Sequence, residues 1–183
     1  MKHKWFWRLG AALLATGLAP QVSNAQQAGG APPAPASGQP APQLVFAFEE
    51  TVELADAIPV GPTAQGIRNI VPITGGTFEG PGIKGTIIPG GWDWQLIRPN
   101  KCISIKADYM LKTDDSAVIN VINAGTLCLP ADGAKFTPGY TSPVFEAPLG
   151  KYGWLSQGAF VGTLEPVVGG AKPSVHIRFY RVQ

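Results

Sequence analysis

Gly75–Trp94, GGTFEGPGIKGTIIPGGWDW, holds seven glycines and two prolines in 20 residues and ends in an acid between two indoles. Glycine at this density marks tight turns and places where one backbone presses on another. Two apolar runs, Ile83–Ile88 and Trp92–Arg98, lie on either side of Pro89-Gly90-Gly91. They are too short for helices and are rich in β-branched and aromatic residues, so they read as strands. Alternation along the second run turns Asp93 away from Trp92 and Trp94.

The same pattern extends outward through the folded part. Strands are expected at Leu44–Leu54, Gly66–Ile73, Gly76–Glu79, Ile83–Ile88, Trp92–Arg98, Cys102–Leu111, Ala117–Leu129, Pro143–Ala147, Ala159–Leu164 and Val175–Val182. No segment keeps apolar residues at helical spacing for three turns, because glycine or proline interrupts. Many short strands joined by Gly/Pro turns imply an all-β sandwich or a closed antiparallel barrel. Sequential hairpins favour the barrel, whose closure removes exposed edges.

One hairpin can be read in register. Thr113–Ala117 separates two β runs, and a three-residue loop places Cys102 opposite Cys128. Ile103, Ile105, Tyr109 and Leu111 then share an inward face with Ile119, Val121 and Leu127. Facing cysteines in an exported chain suit a disulfide, the alternative being two free buried thiols. Ser116 occupies the loop position that usually takes a left-handed glycine.

Ahead of the strands lie two segments of different character. Residues 1–25 read as a secretory signal peptide: Lys2, Lys4 and Arg8, an apolar run Leu9–Ala19, then Ser23-Asn24-Ala25 at the cleavage site. The apolar run is too short to span a bilayer. Residues 26–43, QQAGGAPPAPASGQPAPQ, read as a linker without aromatic or charged residues. The barrel domain is expected over 44–183. The full chain carries +2; loss of three basic residues with the leader leaves 11 against 12 acidic ones, a net charge of −1. Nothing in that balance points to nucleic acid or to membrane insertion after signal cleavage. The expected location is periplasmic or secreted, and a homo-oligomer is compatible with the sequence.

Absent motifs narrow the chemistry. Beyond the leader His176 is the only histidine, and Cys102 and Cys128 are the only thiols, so no metal site is expected. There is no P-loop, no dinucleotide fingerprint in a strand-to-helix setting and no G-x-S-x-G elbow. No cofactor is expected. What remains is acid–base and aromatic chemistry. Asp93 is the first candidate: buried among apolar groups, a carboxylate rises toward neutral pKa and can move protons. Its other reading is an aspartate satisfying turn amides after Gly90-Gly91. Arg68, alone in the apolar run GIRNIVPI, would clamp a substrate oxygen or pair with an acid. Glu146 and Glu79 are candidate second carboxylates, or solvated ones. Trp92, Trp94, Tyr109, Tyr152 and Trp154 would line a pocket for a hydrophobic ligand, or fill the core.

GGTFEGPGIKGTIIPGGWDWQLIRPN, DYMLKTDDSAVINVINAG and FEAPLGKYGWLSQGAFVG resemble, in order and spacing, domain-of-unknown-function family 3237 over nearly all of Leu44–Val182. Gly66, Arg68, Gly75, Gly76, Gly85, Gly90, Gly91, Asp93, Trp94, Asp115, Tyr152 and Trp154 match its pattern. The resemblance implies a small all-β barrel, similar in size to calycin and allene-oxide-cyclase barrels, and assigns no chemistry. The function expected is a cofactor-independent lyase, isomerase or cyclase acting on a hydrophobic aromatic or polyketide-like small molecule. The alternatives are a non-catalytic carrier and a structural or interaction barrel.

Overall fold

Alternation of apolar and polar residues in antiparallel strands builds one closed sheet. The computed structural model describes residues 38, 40–128 and 139–183. The expected signal peptide lies outside the described residues, as do all but the last few residues of the linker and the expected end of the Ala117–Leu129 strand. The strands are β1 (Leu44–Leu54), β2 (Ile58–Thr63), β3 (Gly66–Gly80), β4 (Ile83–Ile97), β5 (Cys102–Thr113), β6 (Val118–Cys128), β7 (Gly139–Glu146), β8 (Phe160–Pro166) and β9 (Ser174–Val182). Their order is β1-β9-β8-β7-β6-β5-β4-β3-β2, and a further β1–β3 pairing closes the ring. Eight strands therefore form an antiparallel barrel, as the turn pattern predicts, and β2 stands outside the ring on β3.

Two expected pairs of strands are single elements. The runs 66–73 and 76–79 join as β3, and 83–88 and 92–98 join as β4. Each passes through its glycine pair with a register shift, between Ile73 and Thr77 on β3 and between Ile88 and Trp92 on β4. The glycines bend the hairpin without ending it, because a bulge turns the strand while pairing resumes beyond it. At Gly76 a Cβ would lie 2.0 Å from the Thr51 carbonyl oxygen, so no side chain fits where β1 crosses.

The β5–β6 register is the one predicted from the loop, with Cys102 opposite Cys128 and Tyr109 opposite Val121. The two cysteines form a disulfide. Ser116 takes the left-handed conformation, φ 69°, that the loop demands.

The sequence pattern did not predict β2, Ile-Pro-Val-Gly-Pro-Thr, which pairs along β3 from Ile58–Ile70 to Thr63–Gly66. β1 and β2 lie end to end against β3, interrupted at residues 55–57. β9 accompanies β1 only as far as Glu53, so among the described residues β2 has no second neighbour.

Phe48, Phe78, Phe145, Phe160 and Phe179 form the heart of the core, with ring centroids 4.9–6.0 Å apart in tilted or edge-to-face pairs. These geometries suit the quadrupoles of the rings and pack without voids. A single 3₁₀ turn, Gly153–Gln157, adds Tyr152 and Leu155 to this core. Asp115 in the β5–β6 turn holds it there: Tyr152 Oη donates to Asp115 Oδ1 at 2.8 Å, and Lys151 Nζ pairs with Oδ2 at 2.9 Å. Those donors and Thr113 Oγ1 hold the Asp115 carboxyl well below the usual range.

Candidate functional site

The inward face of the barrel is not uniformly apolar. Glu50, Asn123 and Thr141 are buried among the apolar residues, 1–3 % exposed. Glu50 shares its face with Phe48 and Val52, since side chains two apart on a strand point the same way. Its neighbour Glu49 points outward to Arg178, whose Nε lies 2.9 Å away. An acid in phase with two core residues was the available signal for Glu50. The doubled Glu49-Glu50 obscured it, and Glu50 is absent from the residues singled out above.

Tyr109 reaches Glu50 across the interior and donates its hydroxyl to Oε1. Gly91, beside Tyr109 on β4, leaves the space for this: a Cβ there would stand 2.5 Å from the Tyr109 Cβ. Burial pushes the Glu50 carboxyl up to about 8, with the Tyr109 hydroxyl pulling modestly the other way. Glu50 is therefore largely a neutral acid at pH 7, able to donate a proton. The Tyr109 hydroxyl is raised well above its ordinary value, first by burial and then by the Glu50 charge it faces.

Asp93 belongs to the same interior, as its alternation with the two tryptophans predicts. Its carboxyl is raised by burial, a rise limited by the Gln95 amide, 2.8 Å from Oδ2, and by the Lys106 backbone N–H. The Asp93 charge also acts on Tyr109. Asp93 pairs with Ala107, Ala107 with Asn123 and Asn123 with Pro143, so these four form one cross-strand row. At about 4.8 Å per strand, Asp93 and Asn123 stand roughly 10 Å apart with only the Ala107 methyl between them. Glu50 Oε2, Asp93 Oδ1, Asn123 Oδ1 and Thr141 Oγ1 are buried and lack a hydrogen-bond partner among the described residues. Folded proteins rarely leave such atoms orphaned. Several of them are turned into one barrel interior, where the packing leaves them unsatisfied.

The other candidates are not gathered there. Arg68 pairs with Leu96, and Trp92 and Trp94 with Pro72 and Ile70, all on the outer face of β3 and β4. Trp92 and Trp94 are 43 % and 46 % exposed, so they are not walls of the interior. The correction follows from the same alternation that sends Asp93 inward. Glu79 and Glu146 are exposed on the outer face, next to the inward-facing Phe78 and Phe145. Tyr152 is tied to Asp115, and Trp154 packs on Phe160 at 5.9 Å, so both belong to the 3₁₀ plug. His176 is on the outer face, 3.5 Å from Glu49 and 3.7 Å from Glu165. Among the described residues no three acidic, histidine or cysteine side chains are grouped to hold a metal. Of the residues chosen from sequence, Asp93 and Tyr109 share the polar interior.

Fold and site together define a closed eight-stranded barrel whose interior carries buried, partly unpaired polar groups among apolar side chains. The chain belongs to the family described as Protein of unknown function (DUF3237), whose model matches residues 42–182. A UPF0311 protein of Rhodopseudomonas palustris (strain TIE-1) is 36 % identical over 135 residues, 68 % of this chain and 88 % of that protein. A crystal structure of a conserved protein of unknown function from Rhodopseudomonas palustris matches with a TM-score of 0.71 at 34 % identity, covering 79 % of this chain and 100 % of that one. An enzyme from Penicillium herquei, 24 % identical, shares the fold with a TM-score of 0.62 over 84 % of this chain and 99 % of its own.

Proposed function

We propose that the barrel interior is the active site of a cofactor-independent lyase, isomerase or cyclase acting on a hydrophobic, aromatic or polyketide-like molecule. One observation carries this reading: two carboxyls raised by burial, Glu50 and Asp93, flank Tyr109 with an unpaired oxygen on each. Such a pair suits proton transfer in both directions. Asp93, the less perturbed, is the base that removes a proton from the substrate. Glu50, protonated and steadied by Tyr109, is the acid that returns one to another atom of the same molecule. One turnover leaves Asp93 protonated and Glu50 ionised, and the resting state returns when Asp93 releases its proton to solvent and Glu50 takes one up from it. Asn123 and Thr141 orient the substrate oxygens. The apolar neighbours exclude water and strengthen each of these contacts. That a distant barrel is called an enzyme agrees with this reading but adds no chemistry.

The same proposal places the protein in an exported, oxidising setting. The leader-like residues 1–25 and the Cys102–Cys128 disulfide both favour that placement.

Native mass spectrometry of the protein recovered from its host tests the site. A retained small molecule should appear with the unaltered chain and be converted on incubation. Asp93→Asn and Glu50→Gln should each hold the molecule and convert it at least about 100-fold more slowly. Undiminished conversion in both variants would remove the acid–base assignment. Retention without conversion by the unaltered protein would make the interior a carrier site.

A further inference from the structure

The outer face of β3, β4 and β5 carries a second constellation, on the other side of the sheet from the buried polar groups of the interior. Arg68, Trp94, Leu96, Ser104, Lys106 and Asp108 are among the residues that line a groove of about 410 Å³. Arg68 stands opposite Leu96 and Leu96 opposite Ser104, while Trp94 lies one outward position along β4. The indole is thus set between an arginine on β3 and a lysine on β5. Nearly half of its surface is open.

Charge in the groove is unbalanced. Among the described residues neither Arg68 nor Lys106 enters an ion pair. The one acid in the groove, Asp108, accepts a hydrogen bond from Asn120 Nδ2 at 2.9 Å on the β6 side. Ser104 Oγ is buried with no hydrogen-bond partner. An uncovered indole, two cations without counter-ions and an orphan hydroxyl line one groove, and one kind of ligand satisfies all of them.

We propose that this groove binds a small planar aromatic carboxylate of one or two rings. The ring lies on the Trp94 indole over Leu96, and the carboxylate sits between the Arg68 guanidinium and the Lys106 ammonium. Ser104 donates its hydroxyl to a carboxylate oxygen. Arginine and carboxylate match in geometry, and an indole offers a broad face for stacking. The volume is at the small end of the range for ligand sites, as a two-ring guest requires. The Asp108 carboxylate in the same groove disfavours a longer polyanion by charge repulsion. This site does not depend on the reading of the interior, since its side chains occupy the opposite face of the same strands.

The test is a titration of the intact protein with 2-naphthoate, followed by tryptophan fluorescence and calorimetry. Saturable one-to-one binding is expected, weakened about tenfold or more in Arg68→Gln, in Lys106→Gln and in Trp94→Ala. The uncharged 2-naphthamide and the non-aromatic cyclohexanecarboxylate should each bind about tenfold more weakly than 2-naphthoate. Glu50→Gln should retain the 2-naphthoate affinity. Far-UV circular dichroism checks that each variant is folded, and the two glutamine variants and the ligand series carry the test if Trp94→Ala is not. Absence of saturable binding in the millimolar range overturns the proposal, as does equal affinity for the amide. Loss of binding in Glu50→Gln alone would move the ligand to the interior. A dimer in sedimentation velocity that dissociates on Arg68→Gln would make a second copy the occupant, and likewise overturns it.

Discussion

The barrel interior holds two sets of side chains that fill their space by opposite rules. Phe48, Phe78, Phe145, Phe160 and Phe179 satisfy one another ring against ring. Glu50, Asp93, Tyr109, Asn123 and Thr141 satisfy one another only in part, with Tyr109 bonded to Glu50 and four of their oxygens unpaired. The aromatic set is what a strand pattern builds by default, because apolar burial needs no direction. The polar set costs desolvation at each member and is kept where something other than stability is selected. The proposed function thus assigns stability and chemistry to different parts of one core.

Truncating the aromatic set should have the largest effect. Phe179→Ala, at a fully buried ring touching both Phe48 and Phe145, should lose roughly 3–5 kcal/mol in urea unfolding at any pH. A loss below about 1 kcal/mol would mean that the rings do not form the folding core.

Glu50→Gln should act in the opposite direction and depend on pH. The buried carboxyl titrates near 8, against 4.5 when exposed. Below pH 4.5 both folded and unfolded chains hold the proton and the group makes no difference. As pH rises the unfolded chain ionises first, so the native protein loses stability until pH passes 8. The full shift sets a ceiling of about 5 kcal/mol, and relaxation with water entry reduces it to roughly 2–3. The variant should match the parent at pH 4 and exceed it by that amount at pH 9. A difference independent of pH would show that Glu50 is already ionised in the fold.

Gly91→Ala sharpens the boundary between the two sets. Its Cβ would press on Tyr109, and the strand must shift, at a cost of about 1–3 kcal/mol in thermal unfolding. Tyr109 fluorescence or hydrogen exchange should change with it. Tyr109→Phe should have the smallest effect, about 1 kcal/mol, measured most clearly below pH 7, where Glu50 loses a partner while still neutral.

None of the five phenylalanines was singled out in the sequence, but part of the inward face that packs with them was legible. Period-2 alternation places Ile105, Tyr109, Leu111, Ile119 and Val121 inward, and one three-residue loop set the β5–β6 register through to the Cys102–Cys128 disulfide. The polar set was legible only in Asp93 and Tyr109. Glu50 was hidden because Glu49 beside it gives the strand an acid on each face. Asn123 and Thr141 are ordinary strand residues whose burial depends on partners three or more strands away. Trp92 and Trp94, expected to line a ligand pocket or fill the core, stand half-exposed on the outer face. Their parity with Leu96, opposite to that of Asp93, held the correct answer. β2 was invisible because Pro59, Gly61 and Pro62 are poor strand formers, and only the length of β3 explains its pairing.

Those prolines also govern how the molecule meets its own copies. Among the described strands β2 is the one that stands outside the ring, and a strand with an open side is a template on which another chain can add. Pro59 and Pro62 carry no amide hydrogen, so that side lacks the regular row of donors an incoming strand would need. The flanking Ile58 and Val60 are exposed and would otherwise favour such addition. A strand blunted in this way resists fibril growth and domain exchange.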